Sequence, residues 1–378
     1  MTANSSPSIP RGQLIFAGLF CFFLVGAEQG MLGLVVADMQ QNRGISASQG
    51  GLFFALHAIG SAVAVGLSLV HAIDRRNPYR VALALASFAA GLALLAFAEV
   101  WSWLLLASVL LGLGFGGLTL GFNTLFATRF AHHSPRFLNL LNAVFGLGAV
   151  AAPALLANGL LSAGSLLAIG SVACGVLVLV TINLDDRIQS QHTATRSKAS
   201  HTTLALLAAA LFFALALESS VAAWLPTLLV RHGLTQAESA DQIALYFFCF
   251  LLVRVGASLI SHRIGARMLA VMGCGGSALL LGGFAFDTSW LWLVPLLGAV
   301  VGLIFPNLFG FAMATIVGGT RESAWLLLAA IAGATTGPWV MGMIAESSAV
   351  MGLLLGLTLW AAAALGCLVL TGRTVKTE

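Results

Sequence analysis

Thr203-Leu-Ala-Leu-Leu-Ala-Ala-Ala-Leu-Phe212-Phe213-Ala-Leu-Ala-Leu-Glu218-Ser-Ser-Val-Ala-Ala-Trp224-Leu-Pro226-Thr-Leu-Leu-Val230 runs for 28 residues with a single charge, Glu218. About 20 apolar residues in a helix cross the hydrocarbon core of a bilayer, so this stretch reads as a transmembrane span. It does not alternate, as a strand of a membrane barrel would. An ionised carboxylate at the depth of Glu218 costs at least ~2.5 kcal/mol to insert. Such a residue faces a partner or a wet cavity.

The rest of the chain follows the same pattern. Of its 378 residues 59% are hydrophobic and 8% charged, and its mean hydropathy is +1.00. A soluble domain carries roughly 25% charged residues, so a soluble enzyme and a nucleic-acid binder are excluded. The basic pI, near 9.0, therefore reflects where loops meet the membrane, and no nucleic-acid partner is expected. Twelve apolar runs are expected near 13–37, 49–72, 81–99, 103–128, 138–160, 165–184, 203–230, 241–261, 268–286, 291–316, 324–345 and 350–371. The fold class is all-α polytopic, with the bilayer as its solvent. The polar stretch around 185–202 reads as a linker between an N-terminal bundle, 1–184, and a C-terminal bundle, 203–378. Met1 to Gly12 is a polar tail with no signal-peptide pattern, so no cleavage is expected. Cys21, Cys174, Cys249, Cys274 and Cys367 all fall in apolar runs without C-x-x-C spacing, and read as small buried hydrophobes.

Positive charge sets the expected orientation. With the N-terminus inside, 14 of the 17 Lys and Arg residues fall in inner loops or tails, Arg43 and Arg231 fall outside, and Arg254 lies within a span. That bias places both termini in the cytoplasm and the protein in a plasma membrane, a bacterial inner membrane by preference.

The two halves repeat. Phe22-Phe23 and Glu28 in the first span match Phe212-Phe213 and Glu218 in the seventh at an offset of 190. Gly148 to Pro153 matches Gly333 to Pro338 at 185, and Gly112/Gly116 matches Gly298/Gly302 at 186. Asp74-Arg75 after the second span matches His262-Arg263 after the eighth at 188. Ordered matches at near-constant offset imply two pseudo-symmetric six-helix bundles meeting at a central cavity. In that arrangement Glu28 and Glu218 face each other.

These features resemble the major facilitator superfamily. Asn123, Leu138-Asn139-Leu140-Leu141-Asn142, Phe145-Gly146-Leu147-Gly148 and Pro153 are similar to its fucose-permease-like branch of sugar–proton symporters, as are Glu218 through Trp224, Gly302-Leu303-Ile304-Phe305-Pro306 and Gly333 to Pro338. The resemblance implies a secondary transporter working by alternating access, with gates at the turn bearing Asp74 and Arg75 and at Arg263. It departs from the family at Val70 and Asn77, where glycines are usual, at His262, where an acid often sits, and at Thr119 and Gly33, where the permease carries acids. Proton coupling then falls to Glu28, Glu218 or His57.

Each candidate has a bland alternative. Glu28 and Glu218 carry a proton or bind hydroxyls, or else bond a neighbouring helix for packing alone. His57, in the middle of the second span, relays a proton, binds solute or bridges to a carbonyl. Gln29, Asn123, Asn142 and Asn307 offer donors and acceptors suited to a polyol, or bond between helices. Trp224 stacks on a sugar or anchors at the interface. Arg254 snorkels inward or pairs with an acid in the gate. Pro153, Pro306 and Pro338 bend helices that move, or simply pack. Met268 and Met272 at i, i+4 raise copper transport as a minor alternative. There is no Walker A motif, no Ser-His-Asp or His-Glu-x-x-His pattern, and neither a cofactor nor an enzyme activity is expected. The function expected is uptake of a sugar or similar polar solute with protons or sodium by a monomer, with proton-driven export of a metabolite, siderophore or drug as the alternative. Glu218, Asn123 and Asn142 would hold the solute.

Overall fold

The computed structural model describes residues 11–71, 79–130, 134–182, 200–316, 320–347 and 350–377. Thirteen α-helices follow one another: α1 Arg11–Asn42, α2 Ala47–His71, α3 Arg80–Phe97, α4 Trp101–Arg129, α5 Ser134–Ala157, α6 Ala163–Thr181, α7 His201–Arg231, α8 Gln236–Ile264, α9 Ala266–Phe286, α10 Val294–Gly302, α11 Ile304–Thr315, α12 Thr320–Ser347 and α13 Val350–Thr377. There is no strand among the described residues. Twelve spans are long and apolar enough to cross a membrane. The chain is a multi-pass membrane protein.

Two differences from the expected runs are informative. α1 continues to Asn42, five residues past the apolar run, with Asn42 Nδ2 donating to Asp38 Oδ1 at 2.7 Å. Hydropathy marks the edge of the membrane, while the helix stops where its hydrogen bonding does. The run expected at 291–316 is two helices behind a short 3₁₀ turn, Thr288–Leu293. Asp287 caps that turn by accepting from the Ser289 N–H at 2.9 Å, which holds its carboxyl below the usual carboxylate range. The break at Leu303 has a cause in the sequence: Pro306 has no N–H to return to the Gly302 carbonyl four residues back.

The chain forms two compact units. One comprises Met1–Gln29, Leu56–Ala152 and Leu160–Gln191; the other comprises Gly30–Ala55, Pro153–Gly159 and His192–Glu378. The α1–α2 turn thus belongs to the unit that holds α7 to α13. The cap Ser200 accepts from the Thr203 N–H at the start of α7. Asp74 and Arg75, as well as most of the expected linker, lie outside the described residues.

Inside each unit, glycines allow backbones to touch. A Cβ at Gly148 would run into the Phe23 carbonyl, and one at Gly333 into the Phe212 carbonyl. Gly112 lies against the His57 carbonyl and Gly298 against that of Tyr246; Gly116 and Gly302 lie against Ser61 and Phe250. Small residues permit this approach where lipid supplies no hydrophobic drive between helices. The glycines keep offsets of 185 and 186, as the sequence repeat has them. Their partners, however, stand 189 apart: Phe23 with Phe212, His57 with Tyr246, Ser61 with Phe250.

That register corrects the repeat by one residue. At an offset of 189 the counterpart of Glu218 is Gln29, and the counterpart of Glu28 is Leu217. One residue turns a helix by about 100°. Glu28 and Glu218 therefore do not occupy equivalent faces, and the expected match of one with the other in the repeat is shifted by one residue.

Candidate functional site

Each acid has its own basic partner. Glu28, on α1, is 3% exposed, and its Oε1 lies 3.0 Å from His57 Nε2 on α2. The two atoms form a close contact without the alignment of a hydrogen bond. The other carboxylate oxygen accepts from Gln29 Nε2 at 3.0 Å. The imidazole tilts against the Phe115 ring, 5.6 Å between centroids. Gly112 beneath the His57 carbonyl brings α4 up to α2 here. Glu28, His57, Gln29 and Phe115 together make an enclosed polar pair walled by an aromatic ring. Burying either side chain as a lone charge would cost several kcal/mol, so each is best buried against the other.

Glu218, on α7, makes a different pair. Its Oε1 lies 2.9 Å from Arg254 Nη2 on α8, with side-chain exposures of 20% and 29%. Arg254 Nε donates to the Gly302 carbonyl at 3.3 Å, and the guanidinium sits 4.0 Å over the Phe250 ring. The carbonyl it takes is the one that Pro306 leaves without its helical partner. Asn307 Nδ2 donates to the next carbonyl, Leu303 O, at 2.7 Å. Glu218 Oε2 is buried with no hydrogen-bond partner among the described residues. A buried carboxylate oxygen without a donor is an acceptor prepared for one.

Arg254 thus pairs with an acid, Glu218, which is the second of its two expected readings. No family of local residues around position 254 announces this. The one readable sign is Pro306 four residues after Gly302, which frees a carbonyl for a donor. Phe250, which lies under the guanidinium, carries no such sign.

The remaining candidates are dispersed. Asn123 Nδ2 donates to Thr119 O at 2.7 Å and Asn142 Nδ2 to Leu138 O at 2.9 Å, so each amide turns back on its own helix. Trp224 is fully buried, with Nε1 donating to Pro338 O at 2.8 Å and its ring edge-on to Phe54. Its indole N–H is thus spent inside the protein. Pro153 and Pro338 lie buried inside α5 and α12. Arg263 is exposed near the end of α8. Met268 and Met272 are exposed on α9, 53% and 46%, and no group of three His, Cys, Asp or Glu that could hold a metal gathers among the described residues.

Comparisons with known proteins agree with this architecture. Residues 18–324 match the family model described as Major Facilitator Superfamily. An aspartate-to-alanine variant of the nucleoside transporter NupG superposes with a TM-score of 0.76 at 14% identity, over 96% of this chain and 99% of that one. A bacterial homolog of the human lysosomal transporter Spinster, in an inward-facing and unoccupied conformation, superposes with a TM-score of 0.74 at 16% identity, over 98% of each chain. No curated protein sequence matches the chain.

Proposed function

The chain belongs to the major facilitator superfamily, and on that premise we propose that it is a proton-coupled importer of a sugar or similar hydroxylated solute. The bundles 1–184 and 203–378 move against each other about a central site, with both termini cytoplasmic. Glu218 and Arg254 contact the solute, and Glu28 with His57 carries the proton. The observation that supports the assignment most is Glu218 Oε2, buried without a donor while its twin oxygen is held by Arg254 at 2.9 Å. A solute hydroxyl supplies the missing donor. Arginine and an aromatic face are also the pair that grips a hydroxylated ring from the side. Nucleosides, which the NupG transporter carries by its name, share the sugar hydroxyls and fall within this class.

The proton follows from the pair in the other unit. A solute-loaded transporter reorients when its charges are compensated, and in this reading a proton delivered to Glu28 and His57 supplies that compensation. Uptake of labelled hexoses, deoxyhexoses and nucleosides into proteoliposomes under an inward proton gradient tests the proposal. Accumulation of one such class by the wild type, abolished in Glu218→Gln with the melting temperature unchanged, is expected. Wild-type accumulation by that variant would remove Glu218 from the mechanism.

A further inference from the structure

The second compact unit carries a cavity that the central site does not use. It measures about 360 Å³ and lies where the C-terminal ends of α1, α7 and α12 meet the start of α2. This is the size of a pocket for a small solute. Gln40, Gln41, Ser46, Thr227, Arg231 and Glu346 supply its polar lining. On the orientation proposed above it opens to the outer face.

The lining has donors to spare. Thr227 is 2% exposed and its hydroxyl has no partner among the described residues. Thr181, Thr315, Thr335 and Thr358 each turn the hydroxyl back on the carbonyl four residues earlier, at 2.7 to 2.8 Å. Thr227 lines the cavity instead. Gln40 Nε2 is likewise buried without an acceptor among the described residues. Gln41 has its oxygen engaged by Gln236 Nε2 at 3.0 Å, which leaves its own amide N–H groups as the available polar function. Arg231 spends one Nη on the Ala345 carbonyl at 2.9 Å. The guanidinium keeps further N–H groups and its positive charge.

The one acid at the cavity does not answer that charge. Glu346 Oε2 accepts from the Ser48 N–H at 2.8 Å, in the first turn of α2. That turn is otherwise closed by a reciprocal cap, with Ser46 N donating to Gln49 Oε1 and Gln49 N to Ser46 Oγ. Glu346 is committed to a helix N-terminus, where a carboxylate is favoured. Arg231, Gln40, Gln41 and Thr227 thus bring donors to the cavity, while the acid that lines it, Glu346, is engaged at Ser48.

We propose that this cavity is a second binding site, separate from Glu218 and Arg254, for a small hydroxylated carboxylate. Arg231 holds the carboxylate, and Thr227 and Gln40 take the hydroxyls. Its position on the outer face makes it a place where such a solute docks before, or apart from, transport.

Glucuronate is the probe, with glucose as its uncharged counterpart, in equilibrium dialysis against the purified full-length protein. The test is run in the wild type and in Glu218→Gln, where the central site is disabled. Saturable glucuronate binding is expected in both, weakened at least about tenfold by Arg231→Gln and severalfold by the isosteric Thr227→Val. Glucose should not bind in the Glu218→Gln background. Loss of glucuronate binding in Glu218→Gln would assign it to the central site and overturn the second one. So would unchanged affinity in Thr227→Val, a variant that keeps the packing even if Arg231→Gln destabilises the α7–α12 contact. Glucose binding as well as glucuronate in that background would overturn the anionic class.

Discussion

The two halves of the molecule solve one problem in two ways. Each buries an acid on its first helix, and each brings a base from its second helix. In the first half the base is an imidazole, His57, enclosed with Glu28 at 3.0 Å beside Phe115. In the second it is a guanidinium, Arg254, on Glu218 at 2.9 Å, less enclosed and tied to a helix carbonyl. Histidine is a side chain that exchanges protons in the physiological range; arginine is not. On the function proposed above, the difference divides the labour: the first pair moves a proton, and the second holds a fixed charge against a solute. The asymmetry also shows that a duplicated scaffold need not duplicate its chemistry.

The comparison can be broken most forcefully at Arg254. Arg254→Gln leaves Glu218 partly buried without its counter-charge, and a loss of roughly 3 kcal/mol in unfolding free energy is expected. Adding Glu218→Gln should restore part of it, as a double-mutant cycle in detergent would show. If the single variant melts like the wild type, the guanidinium does not compensate Glu218.

The scaffold itself should be more symmetric than its charges. Gly148→Ala and Gly333→Ala each push a methyl group into a facing carbonyl, of Phe23 and Phe212 respectively. Each is expected to cost about 2 kcal/mol, and by similar amounts. Strongly unequal melting shifts would show that the repeat does not extend to the packing. His57→Gln comes next, at about 1 kcal/mol, because Glu28 keeps its bond from Gln29. A loss there as large as that for Arg254→Gln would contradict the contrast between the pairs. Smallest is Pro306→Ala. It returns an N–H to Gly302 O and competes with Arg254 Nε, so the net change should stay below about 1 kcal/mol while solute affinity falls. Unchanged affinity would detach the helix break from the site.

Much of the fold was legible because the membrane imposes it. Apolar runs of the right length located all twelve spans, and the ordered glycines disclosed the duplication before any contact was known. The failure was one of rotation. Phe22-Phe23 and Phe212-Phe213 align residue for residue at 190 and carry Glu28 onto Glu218. The crossings at Gly148 and Gly333 make Phe23 the counterpart of Phe212 and shift the match by one. Sequence identity at a near-constant offset does not report which face a helix buries. The partner of Arg254 was hidden for the same reason, since 36 positions separate it from Glu218. An indole near the end of a span usually seeks the interface, so nothing in the sequence signals that Pro338 O offers the Trp224 N–H a buried acceptor. The three asparagines lie where the amide pattern put them, but Asn123, Asn142 and Asn307 each bond to their own helix, which spacing alone does not reveal.

The division of labour between the two pairs is tested most directly by comparing Glu28→Gln with Glu218→Gln in proteoliposomes, using the solute that the wild type accumulates. Accumulation driven by a proton gradient and solute exchange at equal pH are measured on the same preparations. Glu28→Gln should exchange solute at close to the wild-type rate yet fail to accumulate it, while Glu218→Gln should do neither. Gradient-driven accumulation by Glu28→Gln at the wild-type level would contradict the assignment of the proton to the first half.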